Sequence, residues 1–351
     1  GNILPLKKEG KIALIGPLAD TRNNIAGTWS VAQTPEKYAT IKEAMENALK
    51  GKATLLYTQG CNIWRNRQLQ KNGEFDKPLN WGDENELKKE ALKIAKEADV
   101  IVCAMGESAD MSGECGSRTN LEMPDVQHEL LAELVKMGKP VVLLNFAVRP
   151  TVLSWEKQYV PAIMNVWFGG SVMCDALCDV IFGDKVPSGK LTTSMPKTTG
   201  QAPIYYNHQN TGRPVPDDNK EFAKYASNCL DVSNGPLYPF GYGLSYTTFE
   251  YSNFKLSSQE ADINGNQEAT EWQNGKKITA TVTVKNTGAR DADEVVQLYI
   301  RDMVASISRP VKELKGFQRI HLVAGESKEV SFEITPDMLK FYNADLKHII
   351  E

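Results

Sequence analysis

The sequence predicts an α/β layered domain with a mostly parallel sheet, followed by an all-β sandwich. Two patterns lead to this fold class. Between residues 11 and 182, short apolar runs alternate with amphipathic segments of helical period, which is typical of a parallel sheet covered on both faces. Beyond residue 276, runs of alternating apolar and polar residues are separated by turn residues, as in antiparallel sandwiches. A chain of 351 residues has room for both domains.

The first strand is predicted at residues 11–16, KIALIG, an apolar run that ends at glycine. A helix is expected to begin with Thr34 as N-cap and Pro35 at its first position and to end at Gly51. By the same criteria, the remaining strands of this domain are expected at residues 53–60, 99–106, 140–146 and 162–168, and the remaining helices at residues 82–98, 124–138 and 171–182.

Residues 201–246 are rich in Pro, Gly, Asn and Tyr and have no helical period, so we expect an ordered loop that wraps a surface. We assign this loop to the first domain, residues 1–246, and residues 247–351 to the sandwich. Strands of the sandwich are predicted at residues 276–288, 294–302, 311–322 and 326–335. Little sequence remains after them for a last strand, so the sandwich is expected to be cut short at its C-terminus.

Composition excludes several classes of function. Forty Lys and Arg against 44 Asp and Glu give a net charge of -4, which does not favour nucleic acid or an anionic membrane as a partner. No apolar run approaches the ~20 residues that span a bilayer. The four histidines are scattered without ligand spacing, so no metal site is expected. The six cysteines are too sparse for a disulfide scaffold, and Cys174 and Cys178 are interpreted as core thiols, although their role stays open.

One loop is the candidate for chemistry. Ligands bind at the carboxyl ends of strands in open α/β sheets, and a long polar segment, residues 106–124, follows the predicted strand at 99–106. It carries the acidic residues Glu107 and Glu114, and Arg118 follows. Either a carboxylate of this loop is presented to a ligand, or Glu114 and Arg118 form a solvated surface pair of little energetic value.

Long motifs of the chain resemble those of glycoside hydrolase family 3, in particular β-glucosidases of the bacterial periplasmic type. The loop motif SGECGSRTNLEMPDVQ carries this resemblance together with residues 1–20, 182–214, 237–256 and 308–327. The resemblance covers nearly the entire chain. It implies an α/β sandwich domain followed by a fibronectin type III-like domain, the same two classes that periodicity indicates.

The resemblance also implies that a catalytic part lies outside this chain. Enzymes of this family begin with a (β/α)8 barrel that carries the nucleophile, an aspartate in a Ser-Asp-Trp context, and that tripeptide does not occur here. The first residues are similar to the linker that follows the barrel. The chain is therefore expected to be part of an exo-acting, retaining β-glucosidase, inactive without its N-terminal barrel.

Glu114 matches the general acid/base of these relatives. Retaining glycosidases place this carboxyl about 5 Å from the nucleophile, so that it protonates the departing oxygen and later deprotonates water. Glu107 is the rival carboxylate and is expected to anchor the loop instead. Arg118 is expected to hold the loop or a carboxylate in place or to contact substrate, and Met111 to line the aglycone side. Double displacement of this kind needs neither a metal nor an organic cofactor.

Alternatives remain within and outside the family. The sugar could be xylose or N-acetylglucosamine, as in β-xylosidases and β-N-acetylglucosaminidases, because most of the sugar pocket is expected on the barrel. Val172 stands where relatives usually have glutamate, which leaves substrate preference open. An alternative outside the enzymes is that the chain is a non-catalytic carbohydrate-binding or structural module. The resemblance to periplasmic enzymes implies a periplasmic or secreted location.

Overall fold

The computed structural model describes residues 3–30, 33–74, 78–114, 116–261, 263, 266–272 and 277–351. Contacts divide the chain into two compact units. The first runs to Lys185 and includes Met195–Ala202, and the second consists of Val186–Ser194 and Pro203–Glu351. The predicted wrapping loop, residues 201–246, thus lies almost wholly in the second unit, although the sequence assigns it to the first domain.

The first unit is built on a parallel sheet, as predicted. Its strands are β1 (Lys11–Ile15), β2 (Thr54–Thr58), β3 (Val100–Gly106), β4 (Val141–Phe146) and β5 (Ala162–Asn165). They form a five-stranded sheet in the order β2-β1-β3-β4-β5, and every neighbouring pair is parallel. The predicted doubly covered α/β fold is confirmed.

Helices cover both faces of this sheet. They are α1 (Ile41–Leu49), α2 (Arg67–Asn72), α3 (Glu84–Glu97), α4 (Asp125–Lys136), α5 (Ser154–Tyr159) and α6 (Met173–Ile181). Alternate residues of β1 enter two separate cores: Ile12 and Leu14 pack with α1 and α6, whereas Ala13 and Ile15 pack with α3 and α4. The sequence did not predict α2 and α5, because six residues are too few to establish a helical period.

The start of α1 corrects the sequence prediction. Pro35–Lys37 forms a separate turn of 3-10 helix, and no side chain caps it at Thr34. The α-helix begins six residues later, where the Thr40 side chain accepts a hydrogen bond from the Glu43 amide and the Glu43 carboxylate accepts one from the Thr40 amide. This capping box satisfies two amides that the first turn of a helix leaves unpaired, whereas Thr34 satisfies none.

Cys174 and Cys178 lie on the buried face of α6 and belong to its core cluster, which confirms their interpretation as core thiols. Burial raises the pKa of each thiol to about 12. At neutral pH both are therefore protonated and chemically inert. Cys115 lies outside the described residues.

The second unit contains antiparallel strands. They are β6 (Phe249–Leu256), β7 (Ile278–Asn286), β8 (Ala292–Ile300), β9 (Glu313–Leu322) and β10 (Ser327–Ile334), followed by α7 (Pro336–Leu339), β11 (Phe341–Tyr342) and β12 (His348–Ile349). β10, β7 and β6 form one sheet and β8 pairs with β9 in another. A core of Val284, Val296, Ile320, Leu322 and Val330 draws on both sheets.

The four strands that alternation predicts are present as β7 to β10, although Lys276, the predicted first residue of β7, lies outside the described residues. β6 was not predicted, because most of its residues are exposed and its sequence lacks a clean alternation. β11 and β12 were missed because two residues carry no period.

The segment 203–246 contains no helix or strand of its own. Side chains nevertheless hold it within the second unit: the ring of Tyr206 stacks on that of Phe240, with centroids 4.2 Å apart, and both meet Tyr299 of β8 edge to face. The expectation that this loop is ordered and wraps a surface stays a prediction.

Candidate active site

The long polar loop, residues 107–124, leaves the sheet at the carboxyl end of β3, next to the loops that follow β1 and β4. Gly106 ends the strand with φ +129°, and a Cβ at this position would collide with the carbonyl oxygen of Phe146 in β4. The buried amide of Gln127 on α4 fixes this turn, accepting from the Gly106 amide at 2.8 Å and donating to its carbonyl at 2.9 Å. The loop therefore starts from a rigid point at the edge where ligands of such sheets bind.

Glu107, the first residue of the loop, is 1% exposed. Its carboxylate accepts hydrogen bonds from Arg118 Nη1 at 2.7 Å and from the Val148 amide at 3.0 Å. The Nε atom of Arg149 lies 3.1 Å from Glu107 Oε1, as an ion pair rather than a hydrogen bond. We call these three side chains, Glu107, Arg118 and Arg149, the Glu107 cluster.

The two arginines of the Glu107 cluster also bind the loop backbone. Arg118 Nη2 donates to the Glu122 carbonyl at 2.9 Å, and Arg149 Nη2 donates to the Met111 carbonyl. The Arg118 guanidinium lies over the ring of Trp64, 5.2 Å from its centroid. Arg118 is thus paired within the chain on several sides, and its predicted contact with substrate stays a prediction.

Met111 closes a short 3-10 turn, Ala109–Met111, and its side chain is 8% exposed within the core. The geometry does not bring this side chain to the surface of the loop, so its predicted place on the aglycone side also stays a prediction. Met111 and Arg118 are connected through the Glu107 cluster, because Arg149 binds both the Met111 carbonyl and Glu107.

Glu114 lies beyond this turn and is exposed. Gly113, the residue before it, has φ +112°, a conformation that side-chain-bearing residues rarely adopt. The hydroxyl of Ser112 donates to the Ala109 carbonyl at 3.0 Å, which closes the turn at the base of this region. Of the two candidate glutamates in the loop, Glu107 is enclosed by cations and Glu114 faces solvent.

The loop that follows β1 packs against this region. The buried side chain of Asn24 accepts from the Ala109 amide at 2.9 Å, and Thr28 Oγ1 donates to Asp110 at 3.3 Å. Trp29, next in sequence, is 69% exposed, which is unusual for so large an apolar side chain. Trp29 was not predicted from the sequence, because only the packing of Thr28 against residues 110 and 113 brings this part of the chain to the loop that carries Glu114.

Within the described parts of the chain, no three His, Cys, Asp or Glu side chains are grouped so that they could hold a metal ion. No helix among these residues is both long and apolar enough to cross a membrane.

The sequence model of the glycosyl hydrolase family 3 C-terminal domain matches residues 1–246, and that of the fibronectin type III-like domain matches residues 294–351. The chain belongs to glycoside hydrolase family 3. Similar proteins of this family include β-glucosidases and β-xylosidases. A periplasmic β-glucosidase of Salmonella typhimurium is 43% identical over 99% of this chain, and a β-xylosidase of Formosa agariphila is 36% identical over 100% of it.

A crystal structure of the Listeria innocua β-glucosidase in complex with isofagomine superposes on the whole chain with a TM-score of 0.83 and 35% identity. The chain spans only 44% of that enzyme and 44% of each of the two curated relatives.

Proposed function

We propose that this chain is part of an exo-acting, retaining β-glucosidase and supplies its general acid/base, Glu114. The observation that carries the proposal is the contrast between two glutamates of one loop: Glu114 is exposed, whereas Glu107 is enclosed, at the start of the loop that Asn24 and Gln127 also bind to the domain. β-Glucosidases among the relatives support the reaction class.

Glu107 does not compete for this role. Its carboxylate is 1% exposed, and both oxygens bind groups of the chain. A general acid has to come within about 3 Å of the oxygen that it protonates, which an enclosed carboxylate cannot do.

In the proposed reaction, Glu114 donates a proton to the glycosidic oxygen while a nucleophile attacks the anomeric carbon and the bond to the leaving group breaks. The deprotonated Glu114 then removes a proton from water, which attacks the glycosyl-enzyme and releases glucose. We place the nucleophile on a (β/α)8 barrel of the same polypeptide, outside this chain. The barrel and the bound sugar would also cover Glu114 and exclude water from it.

Trp29 is proposed to bind the sugar of the leaving group. Trp29 is 69% exposed and follows Thr28, which packs against the Glu114 loop, and an exposed aromatic face suits the apolar face of a pyranose ring.

A β-xylosidase is the second candidate, favoured by the relative from Formosa agariphila, and a β-N-acetylglucosaminidase is a third possibility within the family. The three activities are separated by measuring kcat/KM of the complete enzyme on an aryl β-glucoside, an aryl β-xyloside and an aryl β-N-acetylglucosaminide. The substrate with the highest kcat/KM identifies the sugar. A non-catalytic module would instead bind glucose or cellobiose through this chain alone, which calorimetry detects.

The 351-residue chain is expected to be inactive by itself, because it holds one of the two carboxylates that the reaction needs. Turnover of an aryl glucoside by the purified chain would contradict this. We also propose a periplasmic or secreted location, which the name of the Salmonella relative supports. Cell fractionation tests it.

The role of Glu114 is tested with Glu114→Ala in the complete enzyme, on one glucoside with a very acidic leaving group and one with an ordinary sugar alcohol. Loss of the acid should abolish cleavage of the glucoside with the ordinary sugar alcohol. The glucoside with the acidic leaving group should still form the glycosyl-enzyme, since an acidic leaving group departs without a proton. Azide should restore turnover and yield glucosyl azide. Nearly normal cleavage of both substrates would assign the acid to another carboxylate.

A further inference from the structure

We propose that Glu107 is a positioning residue for catalysis: it holds together the two ends of the segment that carries Glu114, through Arg118 and Arg149. The inference rests on the proposed role of Glu114 and adds to it the contacts that fix the position of Glu114.

The first step is the connectivity of the Glu107 cluster. Glu107 precedes the segment 108–117, which contains Glu114, and Arg118 follows it; the 2.7 Å hydrogen bond between these two side chains closes the segment into a loop. Arg149 enters from the loop after β4 and binds Glu107 and the Met111 carbonyl at once. The Glu107 carboxylate thus connects both ends of the segment 108–117 with each other and, through Arg149, with its middle at Met111.

The second step is the charge. Two guanidinium groups, with side chains 10% and 19% exposed, meet a single carboxylate that is 1% exposed. An amide at position 107 would have one acceptor oxygen in place of two and would turn NH₂ toward a cation or toward the Val148 amide. A carboxylate at position 107 offsets the charge of two largely enclosed guanidinium groups, which would otherwise repel each other without compensation.

The third step is the consequence for the reaction. The acid/base of a retaining glycosidase works at a separation of about 5–5.5 Å from the nucleophile, and a displacement of about 1 Å can cost about 100-fold in rate. Among the described residues, no hydrogen bond or ion pair fixes the Glu114 side chain, and Glu114 follows Gly113, which has φ +112°. Its position then depends on how firmly the two ends of its segment are held.

The test compares Glu107→Gln with Glu114→Gln and with the wild type, all as the complete enzyme. The readout is the ratio of kcat/KM for a glucoside with an ordinary sugar leaving group to that for one with a very acidic leaving group. We expect Glu107→Gln to lower this ratio by roughly 10- to 100-fold, because a displaced Glu114 fails to protonate the leaving oxygen. A merely structural role lowers both rates by the same factor and leaves the ratio unchanged.

Glu156→Gln is the matched control. Glu156 is also buried, at 3% exposure, but pairs with His128 rather than with Arg118 or Arg149, so its replacement should leave the ratio unchanged. If Glu107→Gln does not fold, Arg149→Lys serves as the second variant: it keeps the charge but loses the simultaneous contact to Glu107 and to the Met111 carbonyl. Glu107→Asp should recover part of the ratio.

The two proposals fail separately. If Glu114→Gln lowers the ratio and neither Glu107→Gln nor Arg149→Lys does, the positioning role of Glu107 is wrong and the role of Glu114 stands. If Glu114→Gln leaves the ratio unchanged, the proposed acid/base itself is wrong.

Discussion

Two glutamates of one loop have opposite environments. Glu107 directly follows a buried strand and is enclosed by partners that include the Val148 amide, 41 residues away in sequence. Glu114 lies past a 3-10 turn and a glycine and stays exposed. The sequence identifies both as candidates, but only the fold brings Arg149 to the first of them, and this separates a carboxylate that holds the loop from one that can meet a substrate.

At the same scale, replacement of Trp29 by alanine should weaken use of a disaccharide. Loss of aromatic stacking, worth about 0.5–1.5 kcal/mol, should lower kcat/KM for cellobiose roughly 2- to 10-fold, with a smaller effect on a glucoside whose leaving group does not stack. Steady-state kinetics of the complete enzyme measures both. The control is Tyr159→Ala, another exposed aromatic residue, which lies just before the start of β5, whereas Trp29 follows the carboxyl end of the parallel strand β1. Equal losses in the two variants would remove Trp29 from the site.

At the scale of elements, α1 shows how a local sequence signal can predict the wrong residue as the N-cap of a helix. Thr34 and Thr40 are both threonines before a helical segment, and Pro35 makes the first look like the start. We expect Thr40→Ala to destabilise the fold by about 1 kcal/mol, because it removes the capping box, and Thr34→Ala to change stability by less than about 0.5 kcal/mol. Chemical denaturation compares the two; equal effects would contradict the assignment of the cap.

The contact between α4 and α5 should depend on pH. His128 Nδ1 lies 3.2 Å from Glu156 Oε1, and this hydrogen bond raises the pKa of His128 above its ordinary value of 6.5, against the opposing effect of burial. The folded state favours protonated His128. The contribution of His128 to the free energy of unfolding is therefore complete below pH 6.5 and is lost as the pH rises through the raised pKa.

The Tm difference between wild type and His128→Gln should therefore shrink between pH 6 and pH 9. Since 38% of the His128 side chain is exposed, solvent screening limits the effect to about 1 kcal/mol or less. A Tm difference that is constant over this range would show that the charge of His128 contributes nothing.

At the scale of the whole molecule, the chain does not divide where its sequence composition changes. Val186–Ser194 lies between parts of the first unit in sequence but belongs to the second. Lys190 explains this placement: its ammonium group lies 3.0 Å from a carboxylate oxygen of Glu294 on β8 and 3.2 Å from the Gly243 carbonyl. Tyr251 of β6 donates to the same carboxylate at 2.9 Å, and burial together with Glu294 raises the pKa of this phenol.

Glu294→Gln should destabilise the second unit by about 2 kcal/mol, because Glu294 is 7% exposed and its loss leaves Lys190 without its counter-ion. Glu333→Gln is the control: Glu333 pairs with Lys277 on an exposed surface, where an ion pair is worth little. Differential scanning calorimetry should show a lower transition for the first variant only. An unchanged transition would mean that the pairing does not stabilise this unit.

The sequence by itself determined the two fold classes, most of the longer strands and helices, and the loop in which the chemistry is proposed to lie. These features follow from the period of apolar residues and from glycine and proline signals, which act over a few neighbouring positions. The short helices α2 and α5, the exposed strand β6 and the true cap of α1 were missed, because their local signals are weak or compete with stronger ones.

Only the tertiary structure decided which glutamate is enclosed, that Trp29 is exposed beside the loop of Glu114, and which unit holds Lys190. Each of these outcomes depends on groups that meet across long stretches of chain, such as Arg149 with Glu107 and Lys190 with Glu294. The free energy of such a contact depends on desolvation and on the number of partners, and neither can be computed until the fold has brought the charges together.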